Sequence, residues 1–234
     1  MKKKLVLISV IIILLTLFVS GTLAFFQSKD EVKNTFTYGS IKIQQFEQEY
    51  NDNNELVDFT QNQYLYPIID VNNPSGDVHY VDKLVSVKNI GNNDAFIRTF
   101  IAIPKALVEV VCLDTDTSGK WVKDTNVYED TVIDGVTYTV VSYTYTLSIA
   151  KNEVTDFVLK GVYMKAVVDL QLNPATNTKQ FCIEENGEYR FFSFDVNRTI
   201  DVYVASQACQ VAGLSDDAIE ALDTAFGKSS VDFK

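Results

Sequence analysis

An acidic loop near the middle of the chain carries the residue pattern most suggestive of chemistry. Asp114, Asp116 and Ser118 alternate along it, and Gly119 follows, as in the first half of a calcium-binding loop with its glycine at the sixth position. The twelfth position is Thr125, where such a loop needs a bidentate glutamate. We therefore predict a plain hairpin turn. Asp114, Asp116 and Ser118 stay a weak calcium candidate, and no other metal or cofactor site is expected.

Patterns typical of catalysis are missing from the sequence. His79 is the only histidine, whereas zinc hydrolases need several metal ligands and usually two histidines on one helix. The sequence also lacks a Gly-x-Ser-x-Gly nucleophile motif. The cysteines Cys112, Cys182 and Cys209 have only His79 as a possible histidine base. We expect buried thiols, with a Cys182–Cys209 disulfide as the alternative, and no catalytic residue.

The charge of the chain limits its partners. The net charge is −11, and the first 24 residues contribute three lysines and no acid, so the remaining chain has a net charge of −14. Such a surface repels phosphate backbones and anionic lipid headgroups. We therefore expect no nucleic-acid partner, and contact with a membrane only through the N-terminal segment.

The N-terminal segment predicts export. Three lysines precede the uncharged residues 5–18, and small residues lie around Ala24, in the order of a secretory signal peptide. Residues 5–26 are also long enough to span a bilayer as a helix. Residues 1–24 are thus a signal peptide cleaved between Ala24 and Phe25, or a retained membrane anchor. Either reading places residues 25–234, which we predict to be a single domain, outside the cytoplasm.

The remaining residues predict an all-β fold, because β-branched and aromatic side chains suit pleated, half-buried surfaces. Hairpin turns are expected at residues 134–135 and 186–187. One helix is expected near the C-terminus, capped by Ser215, ended by Gly227 and packed through Ile219, Leu222 and Phe226. About ten strands with regular turns indicate a β-sandwich. The predicted strands are residues 35–43, 65–71, 78–88, 95–103, 107–113, 121–127, 131–133, 137–149, 157–172 (one or two strands), 179–184, 189–196 and 199–210.

Two predicted strands position residues of interest. In residues 35–43 the alternation changes phase at residues 39–40, which suggests a bulge. In residues 95–103, Arg98 shares a face with aromatic residues, and we expect it to be structural rather than ligand-binding. Residues 28–33 and 47–54 are charged or rich in asparagine and are expected to be exposed or loop.

Short stretches at the start, middle and end of the chain carry a family resemblance. They are residues 21–26 (GTLAFF) with 34–41, residues 87–98, and residues 205–210 with 221–227. Together they resemble the TasA/camelysin family of secreted Gram-positive proteins, which a dedicated SipW-type signal peptidase processes. The resemblance implies a jelly-roll-like β-sandwich and this peptidase as a partner. Camelysin-type members are classed as metalloproteases, but the residues of this chain do not support that activity.

The leading hypothesis is a secreted structural protein at the cell surface, a subunit of a biofilm matrix or fibre. Its partners would be copies of itself or other matrix subunits. The resemblance implies assembly by N-terminal strand addition, in which main-chain hydrogen bonds complete a neighbour's sheet. The alternatives are a camelysin-like surface metalloprotease and a monomeric surface module that binds glycans or a partner through its tyrosine-rich strand. The assembly strand would contain Phe25, Phe26, Phe36, Tyr38, Ile41 and Ile43.

Overall fold

The structure, a computed structural model, describes residues 27–31, 34–35, 41–61, 63–194, 200–229, 231 and 233. The predicted signal peptide or anchor, residues 1–24, lies outside these ranges. Within them, no helix has the length and apolar character needed to cross a membrane.

Strands dominate these ranges, and a short α-helix follows the last strand. The strands are β1 (Gln27–Glu31), β2 (Asn34–Thr35), β3 (Ile43–Tyr50), β4 (Leu56–Asp58), β5 (Val81–Asn89), β6 (Ala95–Pro104), β7 (Val111–Thr115), β8 (Trp121–Ile133), β9 (Val136–Tyr145), β10 (Leu159–Met164), β11 (Val168–Asn173), β12 (Thr178–Glu185), β13 (Glu188–Phe191) and β14 (Tyr203–Gln210). The helix is α1 (Ala218–Phe226), and 3₁₀ turns lie at Pro74–Gly76 and Lys105–Leu107.

The described strands form three sheets in which neighbouring strands are antiparallel. A six-stranded sheet has the order β2-β1-β14-β6-β9-β8, and a five-stranded sheet has the order β4-β3-β5-β10-β7. Strands β11, β12 and β13 form the third sheet. The prediction of an all-β sandwich with a short C-terminal helix is confirmed.

The core lies between the two larger sheets. Ile43, Val85 and Val87 from the five-stranded sheet share one buried cluster with Ile97 and Ile101 from the six-stranded sheet. Burying side chains of this kind contributes about 1.5–3 kcal/mol each. The alternation predicted for residues 95–103 is therefore confirmed for the inward-facing isoleucines.

Helix α1 covers the other face of the six-stranded sheet. Ala218, Ala221 and Leu222 pack against Phe96 and Cys209. We predicted a packing face of Ile219, Leu222 and Phe226. Of these residues only Leu222 is buried, because the small alanine side chains let the helix lie close to the sheet.

The N-cap of this helix differs from the prediction, whereas its C-terminal end agrees with it. Asp217, not Ser215, is the N-cap, and its carboxylate accepts a 2.9 Å hydrogen bond from the Glu220 N–H. Ser215 donates instead to Glu220 Oε2 over 2.7 Å. Gly227 ends the helix with φ of 73°, as predicted.

Both hairpin predictions are confirmed. Asp134 and Gly135 have φ of 47° and 76° between β8 and β9, and Asn186 and Gly187 have φ of 56° and 84° between β12 and β13. Such turns need positive φ at both central residues.

Two assignments were wrong. Residues 65–71 form a loop with one isolated bridge at Pro67, because the Asp77 carboxylate accepts the N–H groups of Ile69 and Asp70. Strand β3 extends to Tyr50, into the predicted loop 47–54, because the inward-facing Glu47 pairs with the buried Lys83. Strand β1 overlaps residues 28–33, to which we assigned no strand.

Candidate strand-addition edge

The strand of interest is β14, which lies between β1 and β6 in the six-stranded sheet. It pairs with β6 over eight consecutive residues, from Tyr203 opposite Ala102 to Gln210 opposite Ala95, without a register shift. On its other side it pairs with β1 over four residues, from Gln27 opposite Cys209 to Asp30 opposite Ser206. The N-terminal segment of the same chain therefore closes this edge of the sheet.

Strand β14 is deeply buried. Ala205, Ser206, Ala208 and Cys209 are all nearly inaccessible to solvent. Burial raises the pKa of the Cys209 thiol to about 12, so this cysteine stays neutral and unreactive at ordinary pH.

Polar contacts fix the register of β14 on the inner face. The Ser206 hydroxyl donates to Gln45 Oε1 over 2.7 Å, and the hydroxyls of Ser206 and Thr99 lie 2.9 Å apart. Gln45 Nε2 donates to the carbonyl oxygen of Val204 over 3.2 Å and to Glu47 Oε1 over 3.1 Å. These contacts tie β14 to β3 in the opposite sheet. Buried polar networks of this type specify one arrangement of strands.

An ion-pair network lies on the outer face of the same sheet. Arg98 is buried, with Nε 2.8 Å from Asp124 Oδ2 and 3.1 Å from Thr144 Oγ1. Arg98 Nη2 lies 2.8 Å from Asp223 Oδ1 in helix α1. The Ser142 hydroxyl donates to Asp124 Oδ2 over 2.7 Å. Arg98 therefore has the structural role that the sequence predicted.

Gln207 lies opposite Arg98 in β14, and Lys29 of β1 lies opposite Gln207. The Gln207 side chain is 1 % exposed. Its Nε2 donor has no hydrogen-bond acceptor among the residues that the structure describes. A buried donor without an acceptor costs about 1–3 kcal/mol.

The predicted assembly residues fall into two groups. Ala24, Phe25, Phe26, Phe36 and Tyr38, which include the predicted cleavage site, lie outside the described residues. Ile41 and Ile43 are fully buried in the core between the two larger sheets. The part these residues play in assembly stays a prediction. Strand β1 was not predicted, because QSKDE lacks an apolar alternation.

The weak calcium candidate consists of side chains that already have protein partners. Asp114 Oδ2 accepts a 2.8 Å hydrogen bond from the Tyr80 hydroxyl. Asp116 accepts from Ser118 Oγ over 2.6 Å and from the Trp121 N–H over 3.3 Å. Burial opposes ionisation of Asp116, but the hydrogen bonds from Ser118 and Trp121 lower its pKa overall. The described residues contain no group of three or more side chains placed to hold a metal ion.

The hairpin predicted at this loop is wrong. Strand β7 belongs to the five-stranded sheet and β8 to the six-stranded sheet, so the residues between them cross from one sheet to the other. A crossing loop and a hairpin turn share the same polar and glycine-rich composition, which is why the sequence did not separate them.

The remaining candidates for chemistry are dispersed. His79 lies in a turn before β5, with Nδ1 2.8 Å from the carbonyl oxygen of Pro67. Cys112, Cys182 and Cys209 are free cysteines. Cys182 and Cys209 lie in different sheets, so the alternative of a disulfide between them is not realised.

The tyrosine-rich strand does not form a binding platform. Tyr138, Tyr143 and Tyr145 are buried, because β9 lies between β6 and β8 and both faces of the sheet are covered. The most exposed tyrosines lie elsewhere, at Tyr64 and Tyr66 in the loop before β5.

Comparisons with known proteins add no identification. No family model, curated protein or solved structure matches this chain.

Proposed function

We propose that this chain is a secreted structural subunit that assembles at the cell surface by N-terminal strand addition. The observation that carries the proposal is the ladder between β1 and β14. A sheet edge is closed by a segment that begins just after the predicted cleavage site, so export processing sets free the strand that pairs with it.

The exchange requires no new type of contact. When β1 of one copy leaves its own β14 and pairs with β14 of the next copy, each lost main-chain hydrogen bond is replaced by an equivalent one. The closed monomer and the assembled chain are therefore close in energy per strand. Concentration and N-terminal processing then decide between them, because the strand of the same chain has the advantage of a high effective concentration.

The buried Gln207 donor supports this proposal. Lys29 lies opposite Gln207 in the closed arrangement, and a lysine side chain donates hydrogen bonds but accepts none. An incoming strand in a register shifted by two residues places Gln27 or Glu31 there, and both side chains carry oxygen acceptors. Assembly is then favoured because it satisfies a donor that the closed monomer leaves unpaired.

The proposed partners and location follow from the N-terminal segment. The partners are copies of this chain or other matrix subunits, with a SipW-type signal peptidase acting before assembly. The location is extracellular, at the cell surface of a Gram-positive organism, in a biofilm matrix or fibre. No step of this function requires catalysis.

Deletion of residues 25–38 tests the proposal. The purified truncated chain should remain a folded monomer by circular dichroism and size-exclusion chromatography, and electron microscopy should show no filaments. A synthetic peptide of residues 25–38 should bind the truncated chain, whereas a scrambled peptide should not. Filaments that form undiminished without these residues would contradict the proposal, as would a folded truncated chain that ignores the peptide.

A further inference from the structure

The loop between β4 and β5, residues 59–80, displays apolar side chains to solvent. Tyr64 is 80 % exposed, Tyr66 is 52 % exposed and Val78 is 84 % exposed. Ile69 and Val71 are also exposed. Large apolar side chains grouped in this way on a surface mark an interaction site more often than isolated ones do.

The loop is held in one conformation by its own hydrogen bonds. Asp77 Oδ2 accepts from the backbone N–H groups of Ile69 and Asp70 over 2.6 Å, and Asp77 Oδ1 accepts from the His79 N–H over 2.8 Å. Ile68 is buried, and its N–H donates to the Met164 carbonyl oxygen over 3.0 Å. The hydrogen bonds that Asp77 accepts lower its pKa, and the bond from the Asp70 N–H is the largest cause. The exposed rings therefore lie on a pre-organised support, which limits the entropy lost on binding.

The ring of Tyr66 lies next to those of Tyr64 and His79. The Tyr64 and Tyr66 ring centroids are 6.0 Å apart, with planes inclined by 26°. The Tyr66 and His79 centroids are 5.5 Å apart, with an inclination of 51°. His79 is held by the contact of its Nδ1 with Pro67. Successive aromatic rings at this spacing offer apolar faces on which the C–H faces of consecutive sugar rings can stack.

The charge of the surrounding sequence narrows the ligand further. Between Lys42 and Lys83 the chain has no lysine or arginine, but it has eight aspartates and glutamates and many amide side chains. This acidic stretch would repel an anionic polymer. Carboxylates and amides instead suit the hydroxyl groups and amines of a sugar.

We propose that Tyr64 and Tyr66, supported by His79, bind a glycan that carries no negative charge. The two tyrosines stack on sugar rings, and the neighbouring amides and carboxylates bind sugar hydroxyl or amino groups. This site is in the five-stranded half of the sandwich, separate from the β14 edge, so glycan binding and strand addition can fail independently.

Affinity electrophoresis of the full secreted chain tests the site. Native gels contain hydroxyethyl cellulose as a neutral glucan, glycol chitosan as an amine-bearing polymer, or alginate as an anionic one. We expect retardation by at least one of the first two polymers and none by alginate. The double variant Tyr64→Ala/Tyr66→Ala should weaken the apparent affinity at least tenfold.

The matched control is Tyr189→Ala, which removes another half-exposed tyrosine, in β13. It should bind as the unmodified chain does, and it corrects for general attraction between chitosan and an acidic protein. Both variants remove exposed side chains, so thermal unfolding should change little. Equal retardation of the double variant and the control would overturn the proposal. So would the absence of retardation by both non-anionic polymers.

Discussion

Strand β8 forms one edge of the six-stranded sheet, whereas β14, towards the other edge, is followed by β1 and β2. Strand β8 pairs with β9 through two register shifts, between Lys123 and Val127 and between Tyr128 and Thr131. Strand β14 pairs with β6 without any shift. Bulges twist an edge and interrupt its row of free N–H and C=O groups, which protects it from pairing with another chain.

Charge and backbone conformation strengthen this difference. At the second shift Asp130 has φ of 63°, and Lys105 Nζ lies 2.8 Å from Asp130 Oδ1 and 3.4 Å from Glu129 Oε2. Charged side chains on an exposed edge oppose further strand addition. Strand β14 is covered on its outer side by β1 of the same chain. One side of the sheet thus ends in a bulged, charged strand, and the other ends in the N-terminal segment that the proposed assembly would exchange.

The largest expected effect comes from removing the buried ion pair that links β6 to β8. Arg98→Leu leaves the buried carboxylate of Asp124 without its cation and removes the 2.8 Å contact with Asp223. We expect the free energy of unfolding, measured by urea denaturation, to fall by about 3–5 kcal/mol. The double variant Arg98→Leu/Asp124→Leu should lose less than the sum of the single variants, because the two residues act as a pair.

Lys105→Ala is the control for the Arg98 variant. It removes an exposed ion pair beside the same strand, and exposed pairs contribute little to stability. If Arg98→Leu cost no more than this control, the buried network would not be what holds β8 in place, and the contrast between the two edges would lose its energetic basis.

A smaller effect on stability, but a decisive one on assembly, is expected from prolines in β1. Alternate residues of an edge strand donate to the neighbouring strand, so Ser28→Pro/Lys29→Pro removes at least one ladder donor. We expect a loss of about 1 kcal/mol in the free energy of unfolding and at least tenfold fewer filaments by electron microscopy. Ser28→Ala/Lys29→Ala keeps every N–H group and should assemble normally.

A pair of prolines in β8 tests whether assembly uses the opposite edge of the sheet. Thr125→Pro/Asn126→Pro falls within the first register shift, so assembly of the folded protein should be unchanged. Loss of filaments from a folded β8 variant, with normal filaments from the β1 variant, would assign assembly to the opposite edge.

The sequence predicted the central strands of the six-stranded sheet but not β1. Alternating isoleucines identified β6, and Asp134 and Asn186 marked hairpins, because burial and positive φ restrict residue type. Strand β1 pairs with β14 in a main-chain ladder, and QSKDE has no apolar alternation from which a strand could be predicted. The charged Glu47 contributed to the wrong loop prediction within β3, because its partner, Lys83, lies in a different strand. Pairing between distant polar residues leaves no local periodicity.

The smallest expected effect concerns the start of β8. Asp156 Oδ2 accepts from Lys120 Nζ over 2.8 Å and from the Tyr145 hydroxyl over 2.7 Å. These bonds, that from Lys120 first, lower the pKa of Asp156. A lowered pKa stabilises the fold fully above the unfolded value of about 3.9, and this contribution is lost as the pH falls through the folded value.

Because the Asp156 side chain is 47 % exposed, solvent limits the effect to about 0.5 kcal/mol. Asp156→Asn should therefore unfold more easily than the unmodified chain at about pH 6, and the difference should shrink as the pH falls through the folded pKa of Asp156, because protonation removes its charge. Lys120→Met should show the same loss at the higher pH, and combining the two changes should add little. A difference that grows on acidification would mean that Asp156 is destabilised as an anion, and that its contacts with Lys120 and Tyr145 do not help to hold β8 at this end of the sheet.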